Sequence, residues 1–382
     1  MKPKNPIDLT QALVRIPSVN PTFDPSSTAE REISNWLKEW GIEHGIETSI
    51  HEALDGRANV VFRLRNGADH PHFLLNGHTD TVGVQGMTTP PFGGEISHER
   101  LWGRGSTDMK GAVACMMAAL IRLREDPTSW RGTLTVGCVA DEEHLFRGIL
   151  KLMEKMDLPD FAVVGEPTSM RVVRGCKGCL RFSVNAQGRS AHSSNPNQGV
   201  SAIVAMSDAI QHLESFFREE LSRYQAPDFG CSTGCVSLIH GGTGINIVPE
   251  HCRIDVDIRL VPGQDWRQTY HNLQTWVCER ANRVASIQWK FDEPMLVDLA
   301  MDTSADTLLV KTACKIREME RAEVVAYGCD ASKIAAKSVP CIIMGPGDIA
   351  HAHTADESIA LTELNKATEI YVQLARSLLP KK

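Results

Sequence analysis

Short apolar runs of strand length recur along the chain, and four of them lead at once into polar clusters. Phe73 to Leu75 runs into His78-Thr79-Asp80, Leu134 to Val139 into Asp141-Glu142-Glu143, Phe161 to Val164 into Glu166, and Cys341 to Met344 shortly into His353. Runs of this length, rich in Val, Ile, Leu and Phe, read as buried strands. Between them the period lengthens to that of a helix. Ile33, Trp36, Leu37 and Trp40 share one helical face, Ser27 with Glu30 has the capping-box spacing before them, and Gly41 is placed to end the helix. Asn59 to Leu64 reads as a further strand. Asp108 opens a helix through Val113, Met116, Met117, Leu120 and Ile121, and another helix follows from Leu145. Helix and strand alternate from residue 7 to about 175, which predicts an α/β domain.

From about residue 176 to 290 the rhythm changes. Leu180 to Ala186, Val236 to His240, Cys252 to Val261 and Ile287 to Phe291 are strand-like, while Ser201 to Phe217 and Asp265 to Val284 are helical. The order β-α-β-β-α-β is that of a ferredoxin-like module. Strict alternation over Arg253 to Leu260 predicts a sheet with one buried and one open face. The α/β pattern then returns, with a helix near Leu308 to Met319, the Cys341 strand and a last helix from Leu361 to Leu378. The expected organisation is a catalytic domain in two parts, 1–175 and 291–382, with an α+β insertion at 176–290.

Composition narrows the function without naming it. A chain of 382 residues with 42% hydrophobic and 23% charged residues is ordinary for a globular protein and long enough for two domains. A formal charge of −7 gives no electrostatic footprint for nucleic acid or an anionic membrane. No apolar run reaches the roughly 18 residues of a membrane span, and the stretch Ile7 to Ile16 lacks the apolar core of a signal peptide. Eleven scattered cysteines suit free thiols in a reducing compartment. The expected location is therefore the cytoplasm, with neither nucleic acid nor membrane as partner.

In open α/β sheets, ligands bind outside the carboxyl ends of the strands, so polar clusters after successive strands converge on one edge. His78, Asp108, Glu143, Glu166 and His353 offer the nitrogen and carboxylate donors that zinc prefers, enough for two ions if Asp108 bridges them. Any one acidic residue after a strand could equally be a helix cap. With Glu143 engaged, Glu142 is left free as a general base for the attacking water. Asp80, two residues beyond His78, is placed to accept that ring's second N–H and fix its tautomer.

The segments Leu75 to Asp80, Gly103 to Gly111, Ala140 to Glu143, Val164 to Thr168, and Gly345-Pro346-Gly347 leading to His353 together resemble the M20 metallopeptidase family over nearly the whole chain. That resemblance implies a zinc-peptidase-like catalytic domain with an inserted lid and dimerisation domain. It implies two zinc ions per subunit, with cobalt or manganese as substitutes. His78 and Glu166 would hold one ion, Glu143 and His353 the other, with Asp108 between them. Glu142 would be the base and Asp80 would support the site. Gly188 to Ser194 resembles the family segment whose histidine, here His192, stabilises the oxyanion from the neighbouring subunit of a homodimer. Asn246 and Arg259 match substrate-contacting positions, and arginine suits bidentate binding of an α-carboxylate. The stretch Tyr327 to Lys333, with Gly328, is expected to line the acyl pocket. The implied activity is removal of the acyl group from an N-acyl amino acid, most like an acetylornithine deacetylase. Within the same chemistry the alternative is a succinyl-diaminopimelate desuccinylase or a glutamate-carboxypeptidase-like exopeptidase acting on a short peptide.

Several features compete with this reading. His351 is a second candidate for the last ligand position, and His144 stands directly after the glutamate pair. Cys176-Lys177-Gly178-Cys179 has a C-x-x-C spacing, which needs a helix N-terminus to be reactive or a second pair to close a zinc site. Gly241-Gly242-Thr243-Gly244 lacks the strand-to-helix context of a phosphate loop. A non-catalytic metal-binding scaffold dimer would be marked by loss of the base or of ligands, and none is lost here.

Overall fold

A computed structural model describes residues 1–281 and 284–381. The chain divides into two compact units, the first made of Met1–Gly175, Asp302–Glu323 and Cys329–Lys382, the second of Cys176–Met301 and Val324–Gly328.

The first unit is built on a mixed sheet. Six of its strands lie side by side in the order Glu47–Leu54, Arg57–Asn66, Gly132–Val139, His72–His78, Phe161–Pro167 and Cys341–Gly345. The last four are parallel, and the first two join them antiparallel. Every residue of His72–His78 and Gly132–Val139 is buried, as expected of parallel strands covered on both faces. The Lys110–Glu125 helix is buried from Lys110 to Ile121 and packs between Pro6–Val14 and Leu361–Leu378. A helix apolar on all sides belongs in a core rather than at a surface. Glycine is required where the Cys341 strand passes the Glu166 strand, because a Cβ on Gly345 would stand 1.9 Å from the Gly165 carbonyl oxygen. The parallel arrangement brings the carboxyl ends of four strands to one edge.

Two local expectations fail at the helix over Arg31–Glu43. The Ser27–Glu30 capping box does not form: Ser27 bonds the Val19 carbonyl, and Glu30 turns inward, fully buried, to meet Arg57. Gly41 lies inside the helix, where a Cβ would strike Thr48 and Phe62, and the chain turns instead at Gly45 with φ of +59°.

The second unit has the sheet order Thr233–Gly241, His251–Leu260, Gly178–Gln187, Gln288–Phe291, all antiparallel. Its helices Ala202–Glu219 and Trp266–Arg280 start at Ser201 and Asp265, whose side chains accept from the first-turn N–H groups. Cys252, Ile254, Val256, Ile258 and Leu260 are buried beneath them while the intervening residues are not. The sequence element order and this strand order are those of a ferredoxin-like fold. Positions 282–283 of the second expected helix lie outside the described residues. The unit also runs past residue 290 to Met301, because Leu296–Asp298 adds to the Gly178–Gln187 strand. Among the described residues no helix is long and apolar enough to cross a membrane.

Candidate metal centre and active site

At the carboxyl edge of the first unit's sheet, side chains from five separate segments meet. His78 ends its strand, Glu166 is the penultimate residue of Phe161–Pro167, and Asp141-Glu142-Glu143 follow Gly132–Val139. Asp108 precedes the Lys110–Glu125 helix, and His353 follows the turn Ile349–His351. His353 sits in the left-handed region at φ of +62°, an uncommon conformation for a side-chain-bearing residue.

Asp108 is the hub. Its Oδ1 lies 3.0 Å from His78 Nε2, and its Oδ2 lies 3.2 Å from His353 Nε2. His353 Nε2 is also 3.1 Å from Glu143 Oε1, and His78 Nε2 is 3.9 Å from Glu166 Oε1. Donor atoms of His78, Asp108 and Glu143 fall within 4.8 Å of one another, as do those of His78, Glu142 and Glu166. His351, by contrast, ends an exposed turn, with its carbonyl accepting from Thr354.

Electrostatically, the cluster is short of positive charge. Burial, then the charge of Glu166, raises the Glu142 carboxyl well above the usual range, and burial, then Asp108, does the same to Glu166. Burial raises Glu143 as well. Asp108 is held low, because hydrogen bonds from His353 and His78 outweigh its burial. His353 is pushed up to about 10 by its hydrogen bonds to Asp108 and Glu143. For His78, burial opposes charging, but Asp108, Glu142 and Glu166 outweigh it and the pKa rises. Protons thus gather where cations would. Glu166 Oε1 is buried without a hydrogen-bond partner, an orphan that a cation would satisfy. The two imidazoles of His78 and His353 and the three carboxylates of Asp108, Glu143 and Glu166 fit a pair of divalent ions of the zinc type.

Asp80 acts differently from expectation. The His78 Nδ1 lies 2.9 Å from the Asp80 main-chain carbonyl and 3.6 Å from its carboxylate. The carboxylate instead accepts the Glu142 and Glu143 N–H groups at 3.1 and 3.2 Å, and Asn20 Nδ2 at 2.8 Å. Several supporting residues escaped the sequence reading. Glu357, buried and paired with Arg104, accepts the Thr107 and Asp108 N–H groups and so anchors the hub. Asp330, pushed up to about 7 by burial, accepts from Asn76 Nδ2 at 2.8 Å, two residues before His78. No local pattern marks these residues, since their partners are hundreds of positions away.

The remaining candidates lie in the second unit. His192 is exposed on Ala191–His192, which pairs with Ile247–Val248, and the Asn246 carbonyl accepts the Ser193 N–H. Arg259, near the far end of His251–Leu260, pairs with Asp257 at 2.8 Å. Gly328 packs tightly, its missing Cβ leaving room for Asp298 Oδ2 and the Lys177 carbonyl. Cys176 and Cys179 are buried free thiols, and burial pushes Cys179 up to about 11, the opposite of a reactive thiolate.

Buried His78, Asp108 and Glu166, half-buried Glu142 and Glu143 and the more exposed His353, all at a sheet's carboxyl edge, make a candidate metal-dependent hydrolase site. The profile of "Peptidase family M20/M25/M40" matches residues 74–377. The chain belongs to this family and is a metallohydrolase acting on amide bonds. It is 31% identical to the acetylornithine deacetylase of Pectobacterium carotovorum subsp. carotovorum over 378 residues, 96% of each chain. Its fold is similar to that of a tripeptidase from Staphylococcus aureus, with a TM-score of 0.81 and 21% identity over 99% of this chain and 98% of that one. It is also similar to a dinuclear metal-binding peptidase of the M20 family from Bacillus subtilis, with a TM-score of 0.71 and 15% identity over 98% and 97% of the two chains.

Proposed function

We propose that the protein is a dinuclear zinc amidohydrolase that removes the acyl group from an N-acyl amino acid, with N-acetylornithine as the leading substrate. The observation that carries this reading is Asp108, whose two carboxylate oxygens each face a different histidine. A carboxylate so divided suits two adjacent cations. His78 and Glu166 would hold one, Glu143 and His353 the other. When bound, such ions polarise an amide carbonyl and lower the pKa of water, and cobalt or manganese can supply the same chemistry.

The protein's own groups divide the remaining work. Glu142, adjoining the ligands but not needed among them, takes the proton of the attacking water and returns it to the leaving amine. Asp80 holds the main chain of both glutamates while its carbonyl orients His78. His192 supplies a positive or hydrogen-bonding partner for the oxyanion, Asn246 and Arg259 contact the substrate, and Gly328 with its neighbours borders the acyl pocket. Arg259 can clamp an α-carboxylate bidentately.

Two features favour a homodimer. Along one strand at about 3.3 Å per residue, His251 and Arg259 are about 25 Å apart, and Asn246 precedes the His251 end of that strand, so one small substrate is not expected to touch both Asn246 and Arg259 within one copy of the unit. His192 with Asn246 and Arg259 would then reach one substrate from different subunits. Thr233–Gly241 is an edge strand carrying Leu238 and Ile239, each more than half exposed, the kind of edge that pairs with another chain. Among the described residues the eleven cysteines are not joined in disulfides, which suits the cytoplasm. The 31% identity to an acetylornithine deacetylase favours that substrate over a succinylated or peptide one. The test is kcat/KM across N-acetylornithine, N-acetylcitrulline, N-succinyl-diaminopimelate, other N-acetyl amino acids, dipeptides and tripeptides. Acetylornithine should lead. A peptide turned over best would replace deacylation with exopeptidase action.

A further inference from the structure

We propose that Glu30 and Arg57, neither of which belongs to the metal-facing cluster, are positioning residues for Glu142 and Glu143. The inference rests on the amidohydrolase reading for the role of those two glutamates, and on geometry for the rest.

The main-chain N–H groups of three consecutive residues in the glutamate loop each donate to a buried carboxylate. Asp141 N–H goes to Glu30 Oε1 at 3.0 Å, Glu142 N–H to Asp80 Oδ1 at 3.1 Å, and Glu143 N–H to Asp80 Oδ2 at 3.2 Å. Such a row of clamps fixes the direction in which the Glu142 and Glu143 side chains leave the backbone. It also holds Asp141 in the left-handed region at φ of +64°, a conformation that a non-glycine residue keeps only when its surroundings dictate it.

Two of the three carboxylates in this arrangement depend on Arg57. Its Nε and Nη2 donate to the two oxygens of Glu30 at 2.5 and 2.6 Å, while its Nη1 reaches Asp141 Oδ1 at 3.0 Å. Glu30, Asp80 and Asp141 are fully buried, and Arg57 is nearly so. Asn20, also fully buried, ties the halves together by donating from one amide nitrogen to Asp80 Oδ2 at 2.8 Å and Asp141 Oδ1 at 3.1 Å. Arg147 closes the outer side of Asp141. The planar guanidinium therefore does two things at once: it sets its one positive charge between two buried carboxylates, with Arg147 adding a second at Asp141, and its fork holds Glu30 and Asp141 at a fixed spacing. The strand bearing Arg57 is thereby keyed to the loop bearing the base, across 84 positions of sequence.

Lysine can keep the charge but cannot make the fork and reach Asp141 together. Arg57→Lys is therefore expected to lower kcat about tenfold to a hundredfold with KM within about twofold, the scale of a small misplacement of a catalytic group. A readout independent of turnover is zinc affinity, measured on metal-free protein against a chelator of known strength. One of the two ions, the one on Glu143, should bind at least about tenfold more weakly and the other as in wild type. Thermal unfolding of the metal-free proteins checks that each variant is folded. Glu30→Gln, which keeps the shape and the acceptor for Asp141 N–H, should move kcat and zinc affinity the same way by less, and it decides the matter if Arg57→Lys does not fold. A folded Arg57→Lys with wild-type kcat and both zinc affinities intact would overturn the inference. So would a change confined to KM. If the wild-type protein hydrolyses no amide, the amidohydrolase reading fails, while the zinc titration still judges the role of Arg57.

Discussion

Glu142→Gln separates the proposed base from a ligand or a structural acid, because the three roles predict different signs. As the base, Glu142 supplies a proton-transfer advantage of about 10²–10⁴-fold, so kcat should fall by that factor, equivalent to about 3–5 kcal/mol of barrier. Zinc content should not change, because His78, Asp108, Glu143, Glu166 and His353 remain. The third effect follows from the distances. Donor atoms of Glu142 and Glu166 lie within 4.8 Å. Two charges that close repel by about 3 kcal/mol at an effective dielectric constant near 20. Uptake of a proton by either carboxylate in the metal-free protein reduces that figure, leaving a gain of about 1–3 kcal/mol when Glu142 becomes neutral and isosteric. The metal-free variant should then melt higher than metal-free wild type, by about 2–4 °C per kcal/mol for a domain of this size. The assays are kcat on N-acetylornithine, zinc by elemental analysis and thermal unfolding after chelation. A variant that keeps wild-type turnover, or one that loses zinc and melts lower, would refute the assignment.

Other consequences follow from the same geometry. His353→Ala should lose one zinc ion and turnover, while His351→Ala keeps both, and the reverse pattern would move the ligand to His351. If His192 acts across a dimer, mixing His192→Ala with Glu142→Gln subunits should restore part of the activity that each lacks. Properly exchanged heterodimers without activity would place His192 elsewhere. His72, buried against Thr135 with a 2.8 Å contact to its hydroxyl, is pushed down to about 4 by burial and by Arg63. Its folded pKa lies below the unfolded value near 6.5, so the unfolded chain binds the extra proton, and stability is lost as the pH falls from 6.5 to about 4. At about 1.4 kcal/mol per pH unit this amounts to about 3 kcal/mol. His72→Gln should flatten urea-unfolding stability over that window, and an unchanged slope would show another group to be responsible.

Elements with a clean period were legible in the sequence. The buried runs at Phe73, Leu134, Phe161 and Cys341 form adjacent parallel strands, and their order along one sheet edge explains why polar residues just after them meet. The inserted module was legible for the same reason, since alternation over Arg253 to Leu260 reports one buried face directly. What stayed hidden depends on distant partners. Glu30 has the spacing of a capping residue, but an arginine 27 positions away draws it inward. Asp80 has the spacing of a histidine partner, yet the chain turns so that its carbonyl meets the ring and its carboxylate meets the glutamate loop. Gly41 resembles a helix stop because close packing and a left-handed turn both select glycine. The limit of the inserted module was displaced for a related reason, because Leu296–Asp298 is too short to show a period and is defined only by the strand it pairs with.

In the proposed centre, Asp108 stands between two metal ions. Anomalous diffraction from crystals grown with zinc tests it most directly. Two zinc peaks per chain are expected, one on each side of the Asp108 carboxylate, with His78 and Glu166 on the first and Glu143 and His353 on the second. A single peak, or peaks that leave Asp108 unligated at full zinc loading, would contradict it.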